Sequence, residues 1–387
     1  MTTRSVAGRS ARWALAGVLF LTAAGATGCG GGSSDEGSVT PWNVPIDGSR
    51  PTDPVPGDGA VFVAYELDGH RGRVIAAEAK TGKLRWSASV PGVGSGTKPV
   101  VAGRTLLVEN GNELYALDTA TGDTRWKYTA GPLERVGDPG VIGQTVVFGT
   151  RPSGLKAVDL ATGKDKGSFG DGDAYDFAPT GSGDLIIAVG AESTGVVAFD
   201  AKTFRERWRH EVDSEPQLPP TVVDGVLYVN ANSGGIYALE AATGSEKWHA
   251  DVHAEDETPL LVEKGVVYTG GGKRASDTLW ALDAATGKER WKAAITGRTS
   301  KSPEIITTVS GGTVYGGNRS PSLRAFDPER GTAKGTLTLA AEPVSQLVGV
   351  RNTVYAVLRA PATGAFQLVA VDAGSSAIGK KPAPTGG

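Results

Sequence analysis

The amino-acid sequence predicts an all-β chain: an eight-bladed β-propeller of four-stranded antiparallel blades, its ring closed by an N-terminal strand that completes the last blade. Three observations predict it. First, the phrase Leu114-Tyr115-Ala116-Leu117-Asp118, followed by Thr121-Gly122 and Trp126, returns as Ile236-Tyr237-Ala238-Leu239-Glu240 through Gly244 to Trp248, and as Leu279-Trp280-Ala281-Leu282-Asp283 through Gly287 to Trp291. Second, its small residue stands at Ala76, Ala116, Ala157, Ala198, Ala238, Ala281, Ala325 and Ala370, in steps of 40, 41, 41, 40, 43, 44 and 45. Units of that length, alternating at period two and lacking any helix-length amphipathic pattern, suit propeller blades better than helical repeats. Third, a tryptophan of the repeat's type, Trp42, precedes the first unit, while the last unit lacks a fourth strand.

Composition agrees. Of 387 residues 56 are Gly, about twice the ordinary ~7%, as a chain of many turns and strands requires. The net charge of −3 becomes −6 once Arg4, Arg9 and Arg12 of the first 28 residues are set aside. A nucleic-acid-binding face needs a basic excess, so that class of partner is not expected.

Taken in order, residues 1–28 read as an export signal: arginines up to Arg12, then an apolar run from Trp13 to about Ala26. The run is too short for a membrane-spanning helix of roughly 20 residues. Ala26-Thr27-Gly28-Cys29 resembles a bacterial lipobox, in which the chain is cut before the Cys and its sulfur carries a diacylglycerol; the usual Leu is Ala26 here. Cys29 is the single Cys of the chain, which fits a thiol used for lipid and excludes an internal disulfide. A lipid of two or more acyl chains holds a protein to a membrane surface, each buried methylene adding about 0.8 kcal/mol. Residues 29–38, rich in Gly and Ser, then form a flexible tether.

Residues 39–374 form the propeller. Within one unit, strands A to D are expected at Pro99–Val101, Thr105–Val108, Glu113–Asp118 and Thr124–Tyr128, inner to outer. The C–D hairpin carries the repeated phrase. Asp118 accepts hydrogen bonds from turn amides, and Gly122 supplies the positive φ of a bulged hairpin. The same glycine stands at Gly82, Gly163, Gly244, Gly287 and Gly331, but Phe204 and Ser376 replace it in the fourth and eighth copies, where a different turn is expected. Four residues on stand Trp86, Trp126, Trp208, Trp248 and Trp291, with Gly167 and Gly335 in the two remaining complete copies. An indole there packs its large area on the neighbouring blade, and the small Ala of strand C lets the sheets stack closely.

The eighth copy has strands A to C at about Val344–Val348, Val354–Leu358 and Gln367–Asp372. Beyond Gly374 only a short tail follows, residues 375–387, expected to be disordered. Trp42 lies 12 residues before Pro54, as Trp291 lies 12 before Pro303. About Val39–Val44 is therefore expected to be the outer strand of blade eight.

The Ala-Leu-Asp-x-x-Thr-Gly-x-x-x-Trp phrase resembles the repeat of PQQ-like β-propellers. That superfamily holds quinoprotein dehydrogenases, the outer-membrane barrel-assembly lipoprotein and sensor propellers of bacterial kinases. The resemblance covers about residues 40 to 374 and implies the fold; it does not imply one chemistry, because the members share blades and not sites. Large quinoprotein alcohol dehydrogenases typically use an adjacent Cys pair over the quinone and a Ca²⁺ site, and this chain has no second Cys. No cofactor is expected; PQQ or Ca²⁺ belongs to the alternative reading. The Ala- and Gly-rich leader resembles lipoproteins of high-GC Gram-positive bacteria.

Chemistry is expected on the loops opposite the repeated turns. The B–C loops carry His70, Arg71 and Arg73, then Asn110 and Asn112, Arg151, Asn230 and Asn232, Lys273 and Arg274, Asn318 and Arg319, and Arg359; a D–A loop adds Arg135. So many Arg and Asn side chains make a candidate face for an anionic or polar ligand or a peptide edge, with solvated loop charge as the plain alternative. Two weaker metal candidates stand out. Asp171 and Asp173 begin a carboxylate run without the Gly and Glu of a calcium loop. His249 and His253 flank Asp251 at strand alternation, a pattern that could hold zinc, but exposure on an outer strand is the simpler explanation of it. No Gly-x-Ser-x-Gly elbow, triad frame or Walker spacing is present.

The expected protein is an extracytoplasmic propeller tethered to the bacterial cell membrane through Cys29. It serves as a non-catalytic binding or scaffold module for a protein, peptide or envelope component. The alternative is a small-molecule sensor or PQQ-dependent redox protein.

Overall fold

The computed structural model describes residues 41–379, except 69–70, 94–95, 152–153, 171–172, 191–193, 217, 232–234, 253–258, 272–277, 296–304 and 375–377. The signal, Cys29 and the tether lie outside the described residues. So does Ser376, and with it the eighth copy's turn. Among the described residues every regular element is a strand.

Eight antiparallel sheets follow one another in a ring. Blade 1 is Val55–Gly57, Ala60–Asp68, Arg71–Glu78 and Leu84–Ser89. Blade 2 is Val100–Ala102, Thr105–Asn110, Glu113–Asp118 and Thr124–Thr129. Blade 3 is Gly140–Ile142, Thr145–Arg151, Leu155–Asp159 and Asp165–Phe169. Blade 4 is Thr180–Ser182, Leu185–Val189, Gly195–Asp200 and Glu206–Glu211. Blade 5 is Thr221–Val223, Val226–Ala231, Gly235–Glu240 and Glu246–Asp251. Blade 6 is Leu261–Glu263, Val266–Gly271, Thr278–Asp283 and Glu289–Ala294. Blade 7 is Ile306–Ser310, Thr313–Gly317, Ser322–Phe326 and Ala333–Thr338. Blade 8 is Val348–Val350, Thr353–Arg359, Phe366–Asp372 and, from the other end of the chain, Trp42–Ile46.

Side-chain alternation explains the layering. Strand B of each blade is covered on both faces and reads as an apolar run, such as Leu185–Val189, buried throughout. Strand D is an outer strand: in Thr124–Thr129 only Trp126 is buried. The apolar clusters lie between neighbouring blades; one joins Phe62 and Ala76 of blade 1 to Leu106 and Leu117 of blade 2. The core is therefore a ring of inter-blade interfaces.

The register is shared. Trp86, Trp126, Trp208, Trp248 and Trp291 pair across the C–D hairpin with Ala76, Ala116, Ala198, Ala238 and Ala281. Trp42 pairs with Ala370 in the same way. Five of these indoles donate Nε1 to a carbonyl of the following blade: Trp42 to Ala79, Trp86 to Thr119, Trp126 to Leu160, Trp248 to Ala284 and Trp291 to Pro328, at 2.9–3.1 Å. The Nε1 of Trp208 is buried with no acceptor among the described residues.

The turn glycine serves this contact too. A Cβ on Gly122, whose φ is 79°, would lie 2.7 Å from the indole of Trp86. The same holds for Gly82 under Trp42, Gly163 under Trp126, Gly244 under Trp208, Gly287 under Trp248 and Gly331 under Trp291. Positive φ is thus half of the requirement; room for the preceding blade's indole is the other half.

The different turn expected at Phe204 is not what forms. Phe204 adopts φ 58° and donates its N–H to the Asp200 carbonyl at 2.8 Å, as Gly122 does to Asp118. The blade before it has Gly167 where an indole would stand, so Phe204 is free to carry a side chain. Its ring fills that hollow, 3.2 Å from where a Gly167 Cβ would be, and stacks on Phe169 with centroids 4.7 Å apart. Ile378 occupies the corresponding space over Gly335.

Candidate functional site

The C–D turns lie on one rim, so the B–C and D–A connections meet on the other. On that second face, over blades 1 to 3, a cavity of about 610 Å³ opens. Its charged lining consists of Arg50, Glu66, Glu109, Arg135, Asp138, Arg151 and Asp176, with Thr97 and glycines 92, 96, 111 and 137 between them. Strand B of blade 2 delivers Glu109 and strand B of blade 3 delivers Arg151. Strand B of blade 1 delivers Glu66 and the B–C loop of blade 2 Gly111, and the D–A connections supply the rest. A short strand, Arg135–Val136, pairs with Arg151 and Thr150 and ties one wall to blade 3.

Ion pairs account for most of these charges. Arg50 lies 3.5 Å from Glu66, Arg151 clasps Asp176, and Lys98 approaches Asp138 at 3.0 Å. Burial pushes the Asp138 carboxyl above its ordinary range, against the lowering pull of Lys98. Arg135 has no side-chain partner among the described residues. Glu109, only 8% exposed, has no cation beside it. Its carboxyl is pushed up to about 7, first by burial and then by Asp138, although the N–H groups of Gly111 and Lys98 and the Thr97 hydroxyl hydrogen-bond to it.

Glu109 departs from the repeat. It stands two residues past the strand-B residue opposite the small Ala, where six other blades carry Ala64, Gly149, Val189, Gly270, Gly317 and Val357, and blade 5 carries Asn230. A carboxyl in a position built for small apolar groups costs free energy unless something compensates it.

Beside the cavity, Gly131-Pro132-Leu133-Glu134 forms a tight turn. The Glu134 N–H donates to the Gly131 carbonyl at 3.0 Å, and the Gly131 N–H donates to the Glu134 carboxylate at 2.9 Å. Pro132 presets φ at the second turn position. The clasp leaves Leu133 95% exposed. The other exposed large apolar residue among the described ones, Leu84, lies near the Gly82 turn on the opposite rim.

The candidate face is spread around the ring. Arg135 and Arg151 line the cavity. Asn110 donates its side-chain N–H to the Pro91 carbonyl, and the Asn112 carbonyl accepts from the Ala130 N–H. Arg71 pairs with Asp68, and Arg73 with Asp47 at 2.8 Å. Asn230 and Asn318 are buried rather than displayed. Arg319 bonds the Val344 carbonyl at 3.3 Å, and Arg359 is exposed. His70, Asn232, Lys273, Arg274, Asp171 and His253 lie outside the described residues. His249 stacks on Tyr237, centroids 4.2 Å apart, and Asp173 accepts from Arg209. Among the described residues no three His, Cys, Asp or Glu are placed to hold a metal ion.

Sequence reasoning picked out Arg135 and Arg151, and took Asp176 only as the end of the carboxylate run begun by Asp171 and Asp173, but passed over Glu109, Asp138 and Leu133. Two signals were present: a Glu in an apolar strand-B position, and a Leu after Pro in a polar loop.

The quinone of the alternative reading is a flat, multiply acidic aromatic. A site for it needs ring faces to stack against and a cationic excess. Among the described residues the lining has no aromatic side chain, and four carboxyls stand against three arginines. These residues do not fit that group.

The sequence matches the family described as outer membrane protein assembly factor BamB over residues 31–168, 175–271 and 252–378. No curated protein matches it. Among solved structures, BamB from Moraxella catarrhalis is similar at 17% identity and TM-score 0.66, over 86% of this chain and 97% of that one. The quinohemoprotein alcohol dehydrogenase from Comamonas testosteroni is similar at 14% identity and TM-score 0.65, over 91% and 78%. The computationally designed protein Ika8 is similar at 16% identity and TM-score 0.64, over 84% and 98%. At such identities the likeness to solved structures is one of fold, which an alcohol dehydrogenase and a designed protein share alike.

Proposed function

Because the chain belongs to the family described as outer membrane protein assembly factor BamB, we propose that it is a non-catalytic docking propeller of the cell envelope, tethered through Cys29 and holding a protein partner on its loop face. The observation that carries this reading is Leu133. A leucine 95% exposed on a turn clasped by Pro132 and Glu134 is an apolar knob ordered in advance. Binding through it costs little of the side-chain and loop ordering that association otherwise requires. Arg135 and the charged cavity rim beside it supply the polar surround of a protein contact.

The redox alternative draws support from the fold alone. The cavity's donor set argues against it, as does the lack of a second Cys.

The test is a photo-reactive residue at position 133 of the full chain in its native membrane, with position 84 as the control. A discrete protein adduct from position 133, lost in the Glu134→Ala background that loosens the turn, is the expected result. Adducts no different from those at position 84 would sink the docking face.

A further inference from the structure

We propose that the cavity over blades 1 to 3 binds a zwitterionic ligand of the amino-acid or short-peptide class, its ammonium group against Glu109 and its carboxylate on Arg135. Once the pairs Arg50 with Glu66, Arg151 with Asp176 and Lys98 with Asp138 are set aside, the lining retains, among the described residues, one acid and one base without an ionic partner. They are neighbours through the backbone. The Gly111 N–H bonds the Glu109 carboxylate, and the Gly111 carbonyl accepts from the Val136 N–H at 2.7 Å, next to Arg135. A ligand bearing both charges completes both residues at once; a purely cationic or purely anionic ligand completes one.

The space agrees with a small ligand. About 610 Å³ lies inside the range of roughly 300–1,000 Å³ usual for small-molecule sites. Glu109 also has no structural reason to be an acid, since six of the other blades close the same position with small or apolar residues and the seventh with the uncharged Asn230. An ammonium group is the compensation that a buried carboxylate lacks here. This ligand is distinct from the partner of Leu133; Arg135 borders both sites, but Glu109 and the cavity belong to the ligand's site alone.

The experiment uses L-alanyl-L-alanine as probe, with its N-acetyl form as the anion alone and its amide as the cation alone, titrated calorimetrically into the full chain. The zwitterion is expected to bind at least about tenfold more tightly than either blocked form. E109Q and R135A should each weaken it to a similar extent, with neither melting below the parent. Affinity should rise from about pH 6 to about pH 7.5, as Glu109 gives up its proton, and fall above about pH 8, as the probe's ammonium loses its own. Wild-type affinity in E109Q or R135A, or equal binding of all three probes, overturns the assignment. Absence of binding by any probe also overturns it, and if position 133 still captures a partner, the docking reading survives alone.

Discussion

Trp42 and Ala370 are cross-strand partners from opposite ends of the ring, in the register that sets Trp126 opposite Ala116. The indole of Trp42 reaches on to blade 1, where the Ala79 carbonyl accepts from it at 3.1 Å and from the Tyr355 hydroxyl at 3.2 Å. One residue therefore supplies the last strand of blade 8 with its packing group and seals that blade to the first.

Replacing Trp42, a partly buried indole, with Ala should lower stability by about 2–3 kcal/mol, toward the low end of the scale for truncating a large aromatic side chain. Deleting residues 30–46 should do more, because it also opens a sheet edge and unpairs a whole strand. Equilibrium denaturation of the three proteins measures this. Parental midpoints in the variants would mean that the N-terminal strand is an ornament on an already closed ring.

The glycine under each indole gives a coupled test. Gly122→Ala places a methyl 2.7 Å from Trp86 on a backbone with positive φ, and should cost on the order of 2 kcal/mol. In the Trp86→Ala background the clash is gone, so the same substitution should cost only the φ strain. A double-mutant cycle that adds without coupling would separate the turn from the indole.

Phe204 reverses that logic. Its φ of 58° suits glycine better than phenylalanine, so on turn geometry alone Phe204→Gly stabilises. The ring, however, fills the hollow over Gly167 and stacks on Phe169. Phe204→Gly should therefore lower stability, by about 2 kcal/mol, read from the denaturation midpoint.

Glu109 predicts a pH dependence. Its carboxyl is raised from 4.5 to about 7, so the folded state holds the proton more tightly than the unfolded chain. The benefit is full below about pH 4.5 and is lost as pH rises through about 7. Glu109→Gln should remove this slope and leave the protein more stable than the parent near pH 8, on the order of 2 kcal/mol. Identical pH profiles for parent and variant would place the carboxyl in water.

The sequence by itself determined the architecture. Strand periodicity, the spacing of the small Ala and the position of Trp42 are local properties repeated eight times, and repetition leaves few ways to bury eight apolar sheets except against one another in a closed ring. Even the closing strand was legible, because Trp42 keeps the repeat's signature although its blade lies at the far end of the chain.

What only the tertiary structure decided depends on neighbours distant in sequence. A glycine can be assigned a positive φ from its turn, but that Gly122 must also make room for Trp86 follows from how adjacent blades dock. The same contact explains why Phe204 is tolerated after Gly167. The cavity was hidden for a related reason. Glu109 sits on strand B of blade 2, Arg135 and Asp138 in the connection that follows that blade, and Arg151 on strand B of blade 3; their partners, their burial and the charges left unmatched exist only once the blades bring them to one rim.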